Sequence, residues 1–339
     1  MSLTEESSAV LDSLPSTDDI EHPIRSLIVR RVGLGLVTIV VVSIVIFWAT
    51  EILPGNAAYA ILGHSATKAR LHALELQMGL NKGLFSQYWT WASRLIAGNP
   101  GHSLANGDTV WSVVGPRLVN SAVLVALAGV IGTIFGMILG VYAALRKDKP
   151  FDDIFSVLSL AVTSLPEFVV GIILIILFAT VVSHVLPAVS ILPEGSYAWS
   201  EPRELILPVA TLVLVIVPYL YRMMRAATVE ALESEYVEMA RLKGLSERRV
   251  VFIHALPNAI APTIQVIGLN FLYLAGGIVI VENVFNFPGI GQGLVEAVSN
   301  RDIPTIQFIV IILATFYVFM NIVTDVVALL ASPRRRLPR

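Results

Sequence analysis

The chain has 339 residues, of which 55% are apolar and only 14% charged, with a mean hydropathy of +0.77. An average soluble chain carries about 25% charged residues, so this composition belongs in a membrane. A formal net charge of −2 gives no case for nucleic-acid binding, and the lack of cysteine removes disulfides, thiolate nucleophiles and cysteine metal sites.

Taken in chain order, the first 24 residues hold no Lys or Arg but include Glu5, Glu6, Asp12, Asp18, Asp19 and Glu21. This is not the basic start of a cleavable signal peptide, and residues 1–28 read as a disordered acidic tail. A spanning helix needs roughly 20 apolar residues to cross about 30 Å of hydrocarbon. Six stretches qualify, near 32–52, 118–145, 154–186, 204–222, 262–281 and 305–331. The third contains Pro166, which predicts a kinked or broken helix. Cutting it there would leave a first piece too short to span and an odd count, so it is taken as one span.

Positive charge sets the orientation. Arg25, Arg30 and Arg31 precede the first span, and Arg146, Lys147 and Lys149 follow the second. Arg222, Arg225, Arg241, Lys243, Arg248 and Arg249 follow the fourth, and Arg334, Arg335, Arg336 and Arg339 close the chain. With six spans all four groups fall on one side, which the positive-inside rule makes the cytoplasm. Both termini are then expected to be cytoplasmic. The expected division is residues 29–117 for the first span and a long extracytoplasmic segment, 118–332 for the core, and 333–339 for a basic tail.

Within the long segment, 66–79 is polar and helix-like, and Tyr88, Trp89 and Trp91 gather near a membrane interface. An interfacial helix packed on the bundle and a docking surface for an outer partner are both open readings. Gly132, Gly136 and Gly140 recur every fourth residue, as on a close-packing helix face; a moving seam is the alternative. Glu167, Gln265, Asn270, Asn321 and Asp325 are polar at membrane depth and should face the bundle or a cavity. Asp325 lies near a cytoplasmic end, where a loop cation would pair with it.

The loop 223–261 is long, basic and helix-forming. Gly244 stands where a helix needs a left-handed terminal residue, Ser246 is placed to cap a second short helix, and Pro257 is expected to end it. Val229, Leu232, Tyr236, Ala240 and Lys243 lie roughly on one helical face. The Glu238-x-Ala240-x-x-x-Gly244 core followed by Leu256-Pro257 resembles the cytoplasmic coupling loop of ABC-importer permeases.

Further runs resemble the dipeptide, oligopeptide and nickel branch of that family. They are Arg30-Arg31, Leu53-Pro54-Gly55, Met78-Gly79-Leu80-Asn81, Gln87-Tyr88, Gly101-His102-Ser103-Leu104, Arg117-Leu118 and Leu165-Pro166. Near the other end stand Glu282-Asn283-Val284-Phe285-Asn286-Phe287-Pro288-Gly289-Ile290-Gly291 and Asn300-Arg301-Asp302. The likeness covers about 25–335. Asn56, Ser332 and the acidic tail depart from the family pattern.

The resemblance implies an all-α membrane protein with six transmembrane helices and the type I ABC-importer permease fold. It implies an ATP-driven importer of di- or oligopeptides, with nickel chelates or glutathione-type compounds as alternative cargo. Its partners would be a second homologous permease, one or two ABC ATPase subunits and an extracytoplasmic substrate-binding protein. Coupling would use Tyr236, Glu238, Ala240, Arg241, Gly244, His254 and Pro257. The path would use Glu167, Gln265 and Asn270, and the loop Phe287, Pro288, Gly289 and Gly291 would face the binding protein.

The residues support the same division of labour. There is no Gly-x-x-x-x-Gly-Lys-Ser/Thr run to cradle phosphate, so ATP and Mg would be bound by partner subunits. His184 and His254 are isolated and lack a second ligand at metal spacing, and no Gly-x-Ser-x-Gly elbow appears. A membrane enzyme would need a clustered acid, base or metal constellation. A secondary transporter would carry paired ionisable groups near the midplane and detectable repeats.

Overall fold

The computed structural model describes residues 23–52, 67–69, 72, 83–181, 185–193 and 196–331. Residues 1–22 of the acidic tail, Asn56, His184, Ser332, the C-terminal arginines and nearly all of the expected 66–79 helix lie outside these; residues 23–28, expected to be disordered, instead open the first helix. The described residues form helices numbered here in order: α1 Pro23–Ile52, α2 Leu84–Ile96, α3 Val110–Ala144, α4 Pro150–Thr163 and α5 Glu167–Ile175. There follow α6 Pro202–Leu232, α7 Glu235–Leu242, α8 Glu247–Arg249, α9 Leu256–Phe285, α10 Ile290–Ser299 and α11 Ile303–Ala331. Among the described residues the one β feature is an isolated bridge between His102 and Thr109.

Five helices are long and apolar enough to cross a membrane, and a bent pair makes a sixth if counted as one span. That pair is the expected third span. It breaks at Ser164-Leu165-Pro166 and turns through 105°. Pro166 has an extended backbone and stands as the N-cap of α5, so it starts a new helix. A π-helical turn, Ile176–Val181, extends α5.

The core is built on α6. It packs along α3 and α9 and is flanked by α4 and α5, whereas α1 packs chiefly on α11. The glycine repeat explains the α3–α6 contact. A Cβ on Gly132 would lie 2.5 Å from Ile216, one on Gly136 2.5 Å from Leu220, and one on Gly140 2.7 Å from the Tyr221 carbonyl. The backbones meet because these positions carry no side chain, which is the packing reading of the repeat. Leu124, Leu212, Ile216, Leu220, Leu274, Ile278 and Phe285 fill the space between α3, α6 and α9. At one end of α6, Arg225 grips the buried Asp152 of α4 through two nitrogens, its Nη2 at 2.5 Å from Oδ2. Asp325 pairs with Arg31 of α1 at 2.7 Å, a helix cation and not the expected loop cation.

The amphipathic α2 lies against α1. Tyr88 donates to or accepts from Ser43 at 2.8 Å, and Phe47, Tyr88 and Trp91 form a ring cluster with centroids 5.4–5.8 Å apart. Trp89 points away and is exposed. This matches a helix packed on the bundle.

Two expectations about the 223–261 loop need correction. Pro257 does not end the short helix. It follows directly on the π-helical run as the second residue of α9, and 247–285 continues through it as one 39-residue helix. The junction is a π-helical segment, Val250–Ala255. Ser246 holds the N-cap position with an extended backbone but makes no side-chain cap bond; its carbonyl accepts from Val250 N at 3.0 Å. The single face through Val229, Leu232, Tyr236, Ala240 and Lys243 is also interrupted, because α6 ends at Leu232 and a turn at Glu233-Ser234 resets the helix.

Candidate functional site

The loop's geometry follows from a few residues. Ser234 is extended and starts α7, with Glu235 and Glu238 in a first turn that favours acids. Gly244 has φ +76°, the left-handed region. Gly244 N donates to the Arg241 carbonyl at 2.9 Å and Leu245 N to the Ala240 carbonyl at 3.3 Å, the two bonds of a Schellman ending. Leu245 packs inward against the cluster that holds Ala240. Arg241 then fastens three segments: Nη2 donates to Glu247 Oε1 at 2.7 Å, Nε to Oε2 at 3.2 Å, and Nη1 to the Leu232 carbonyl at 3.3 Å. The pair is exposed, so it fixes geometry more than it stabilises. Lys147 reaches Glu233 at 2.6 Å, and that hydrogen bond raises the pKa of its ammonium above the usual lysine value.

The two sides of this element differ. Val237, Ala240, Val250, Ala255 and Ala259 are buried against Met224, Ala227 and Ala231 of α6. On the outside, Tyr236, Met239, Leu242, Phe252 and Ile253 are exposed, Leu242 at 75% and Phe252 at 66%. Of the residues read from the sequence, Tyr236 and Glu238 face out, Arg241 is the clasp and Gly244 the bend. Ala240 is internal packing. His254 is half-buried, with its carbonyl accepting from Asn258 Nδ2 at 2.9 Å, and Pro257 is exposed at the start of α9. Sequence reasoning missed Met239, Leu242, Phe252 and Ile253. Their signal was apolar side chains in a segment with no lipid to meet.

At the other end of the bundle, motif fragments from distant parts of the chain converge. Glu282 is fully buried near the end of α9. Its carboxylate accepts from Ser121 Oγ at 2.5 Å, Gly291 N at 2.7 Å and Gln292 N at 3.1 Å, so it caps α10. A Cβ on Gly289 would come within 2.0 Å of that carboxylate, and one on Gly291 within 2.9 Å. Asn120 Nδ2 donates to the Pro288 carbonyl at 3.0 Å. Asp302 is buried too, accepting from Ser103 Oγ at 2.5 Å, Leu104 N at 2.9 Å and Thr305 Oγ1 at 2.7 Å. Arg117 pairs with Glu296 at 2.6 Å. Phe287, Gly289 and Gly291 are buried in this knot, and Pro288 is half-buried.

The three path residues do not meet. Glu167 opens α5, and its carboxylate lies flat over Gly277 of α9, where a Cβ would be 2.8 Å from Oε2. Gln265 is exposed. Asn270 is buried and back-bonds to the Val266 carbonyl at 2.8 Å. Along α9 the exposed residues Pro262, Gln265, Leu269, Tyr273, Gly276 and Ile280 recur every three or four positions, so they form one uncovered stripe that excludes Asn270. No cluster of His, Asp or Glu able to hold a metal ion occurs among the described residues.

Sequence comparison gives this architecture a family. Residues 136–337 match the binding-protein-dependent transport system inner membrane component family, and 24–127 match the N-terminal region of the same kind of membrane component. A di/tripeptide transport system permease of Pseudomonas aeruginosa is 35% identical over 93% of this chain and 99% of its own length. A probable peptide ABC transporter permease of Sinorhizobium fredii is 35% identical, covering 91% and 98%. A glutathione transport system permease of Escherichia coli is 33% identical over the same shares. With both profiles matched and relatives aligned nearly end to end, this chain belongs to the binding-protein-dependent transport system inner membrane component family as a multi-pass permease of the inner membrane.

Proposed function

We propose that the chain is one permease subunit of an ATP-driven importer of small peptides. A second related permease completes the path, ATPase subunits drive it, and an outer binding protein delivers the cargo. Two of the relatives above are named for peptide transport, which supports this substrate class. In this proposal both termini and the 223–261 loop are cytoplasmic, in keeping with the clustering of Lys and Arg there.

One observation carries the coupling role. Two residues of the exposed apolar patch, Phe252 and Ile253, sit on a helix that runs from Glu247 to Phe285. A displacement at Phe252 and Ile253 is therefore a displacement of α9, whose uncovered stripe faces away from the bundle. In this reading the ATPase grips Tyr236, Met239, Leu242, Phe252 and Ile253. Closure of the ATPases moves α9 and α6 as packed rigid bodies between inward- and outward-facing arrangements. The Glu282 knot stays fixed at the outer end. The test is uptake of labelled dialanine and trialanine by proteoliposomes holding the whole complex. Uptake should require ATP, the ATPase subunits and the binding protein together. Uptake that persists without ATP, or ATP-driven uptake of other solutes but no peptide, would refute the reading.

A further inference from the structure

Glu167 is the one acidic residue of the α5 segment, and its setting is unusual. Its Oε2 is buried and has no hydrogen-bond partner among the described residues. No salt bridge to it occurs among them either. Tyr273 stands one turn before Gly277 on α9, and its hydroxyl interacts with the same carboxylate, so Oε2 is the oxygen left open. The Tyr273 ring is 6.2 Å from the Tyr219 ring, and both rings are about 40% exposed on the uncovered side of α9 and α6. Gly276, the next position on the stripe, has open space where a side chain would be.

A buried acceptor without a partner needs an explanation, and an acid at membrane depth is costly unless something completes it. The N-terminus of α5 favours the carboxylate form. The groups that can complete it must arrive through the uncovered side, past two tyrosine faces. Tyrosine faces attract cations and offer nothing to an anion. We propose that Glu167, with Tyr273 and Tyr219, is a transient docking point for the α-ammonium group of a peptide in transit. This rests on the peptide-importer reading above and adds the group by which the path holds its cargo. The ammonium donates to the orphan Oε2, the tyrosine rings cover its sides, and the contact is made in one arrangement of the bundle. The Arg222 guanidinium already stands 5.5 Å over the Tyr219 ring, so the carboxylate and Tyr273 are the main contacts left to the ammonium.

Two arms test it. The chain has no cysteine, so Gly276→Cys gives a single thiol beside the site. In the assembled complex, its rate of modification by 2-aminoethyl methanethiosulfonate is divided by that for the neutral methyl reagent. The ratio should fall by about fivefold or more when Glu167→Gln is added, since a nearby carboxylate concentrates a cation at this site. In the second arm, the maximal uptake rate of dialanine should fall about tenfold in Glu167→Gln, the size expected for a lost charge-assisted contact, with half-saturation by the loaded binding protein unchanged. An unchanged labelling ratio, or wild-type uptake by Glu167→Gln, overturns the proposal. If the wild-type complex imports no peptide, the importer reading fails instead, and the labelling ratio still reports on the site.

Discussion

Replacing Gly244 with valine isolates the bend from everything around it. A Cβ at Gly244 meets nothing within 4 Å, so no steric clash contributes. The whole penalty is conformational, because φ is +76°. Left-handed geometry costs a non-glycine residue about 1–2 kcal/mol, and a β-branched residue there is a true outlier. Relaxing the bend instead would sacrifice the Gly244–Arg241 and Leu245–Ala240 bonds, each worth roughly 0.5–1.5 kcal/mol. Either way the native bend is depopulated by roughly 5–30-fold relative to its competitors. The spans are untouched, so insertion and ligand capture by the binding protein should be normal. Uptake should drop while ATP hydrolysis continues or the ATPases dissociate, and amide exchange should rise over 235–256. Gly244→Asn should lose less, since asparagine tolerates this region. Wild-type uptake by Gly244→Val with full ATPase association would show that the bend is not needed.

Gly140→Ala should lower the thermal stability of the purified complex by about 1–3 kcal/mol, because its Cβ would press on the Tyr221 carbonyl; Gly33→Ala, with open space, should not. Asp302→Ala should release the 101–109 loop to proteolysis, since Ser103, Leu104 and Thr305 lose their acceptor, at about 1–3 kcal/mol for each donor left buried. Single cysteines at the exposed Asn106 and Ser246 should react with an impermeant reagent from opposite faces of a sealed membrane, and same-side labelling would remove the six-span topology.

The features legible in the sequence are those whose cause is local. Apolar length marks the spans, Pro166 marks the break, and Gly244 marks the left-handed bend because glycine adopts it at the least cost. The Gly132-Gly136-Gly140 repeat marks the face that meets α6. Pro257 misled because proline stops a helix from within but also begins one, and only the π-helical run before it shows which. The Glu282 and Asp302 knots were not legible. Their partners lie more than 150 residues away in sequence for Ser121 and Ser103, and side-chain pairing at that range leaves no periodic trace. Ala240 was read as a contact surface because the 229–243 face was carried through the turn at Ser234. The outer patch of Met239, Leu242, Phe252 and Ile253 became visible only with α7 and the π-helical segment set side by side.

The coupling claim is tested most directly by crosslinking from that patch. With no native cysteine in the chain, Leu242→Cys and Phe252→Cys each carry a single photoactivatable group in the assembled complex. Both should crosslink to an ATPase subunit, in yields that change between the nucleotide-free and ATP-bound states, while the same group at Asn106 should not. Full ATP-driven uptake with no ATPase crosslink from either position would contradict the account.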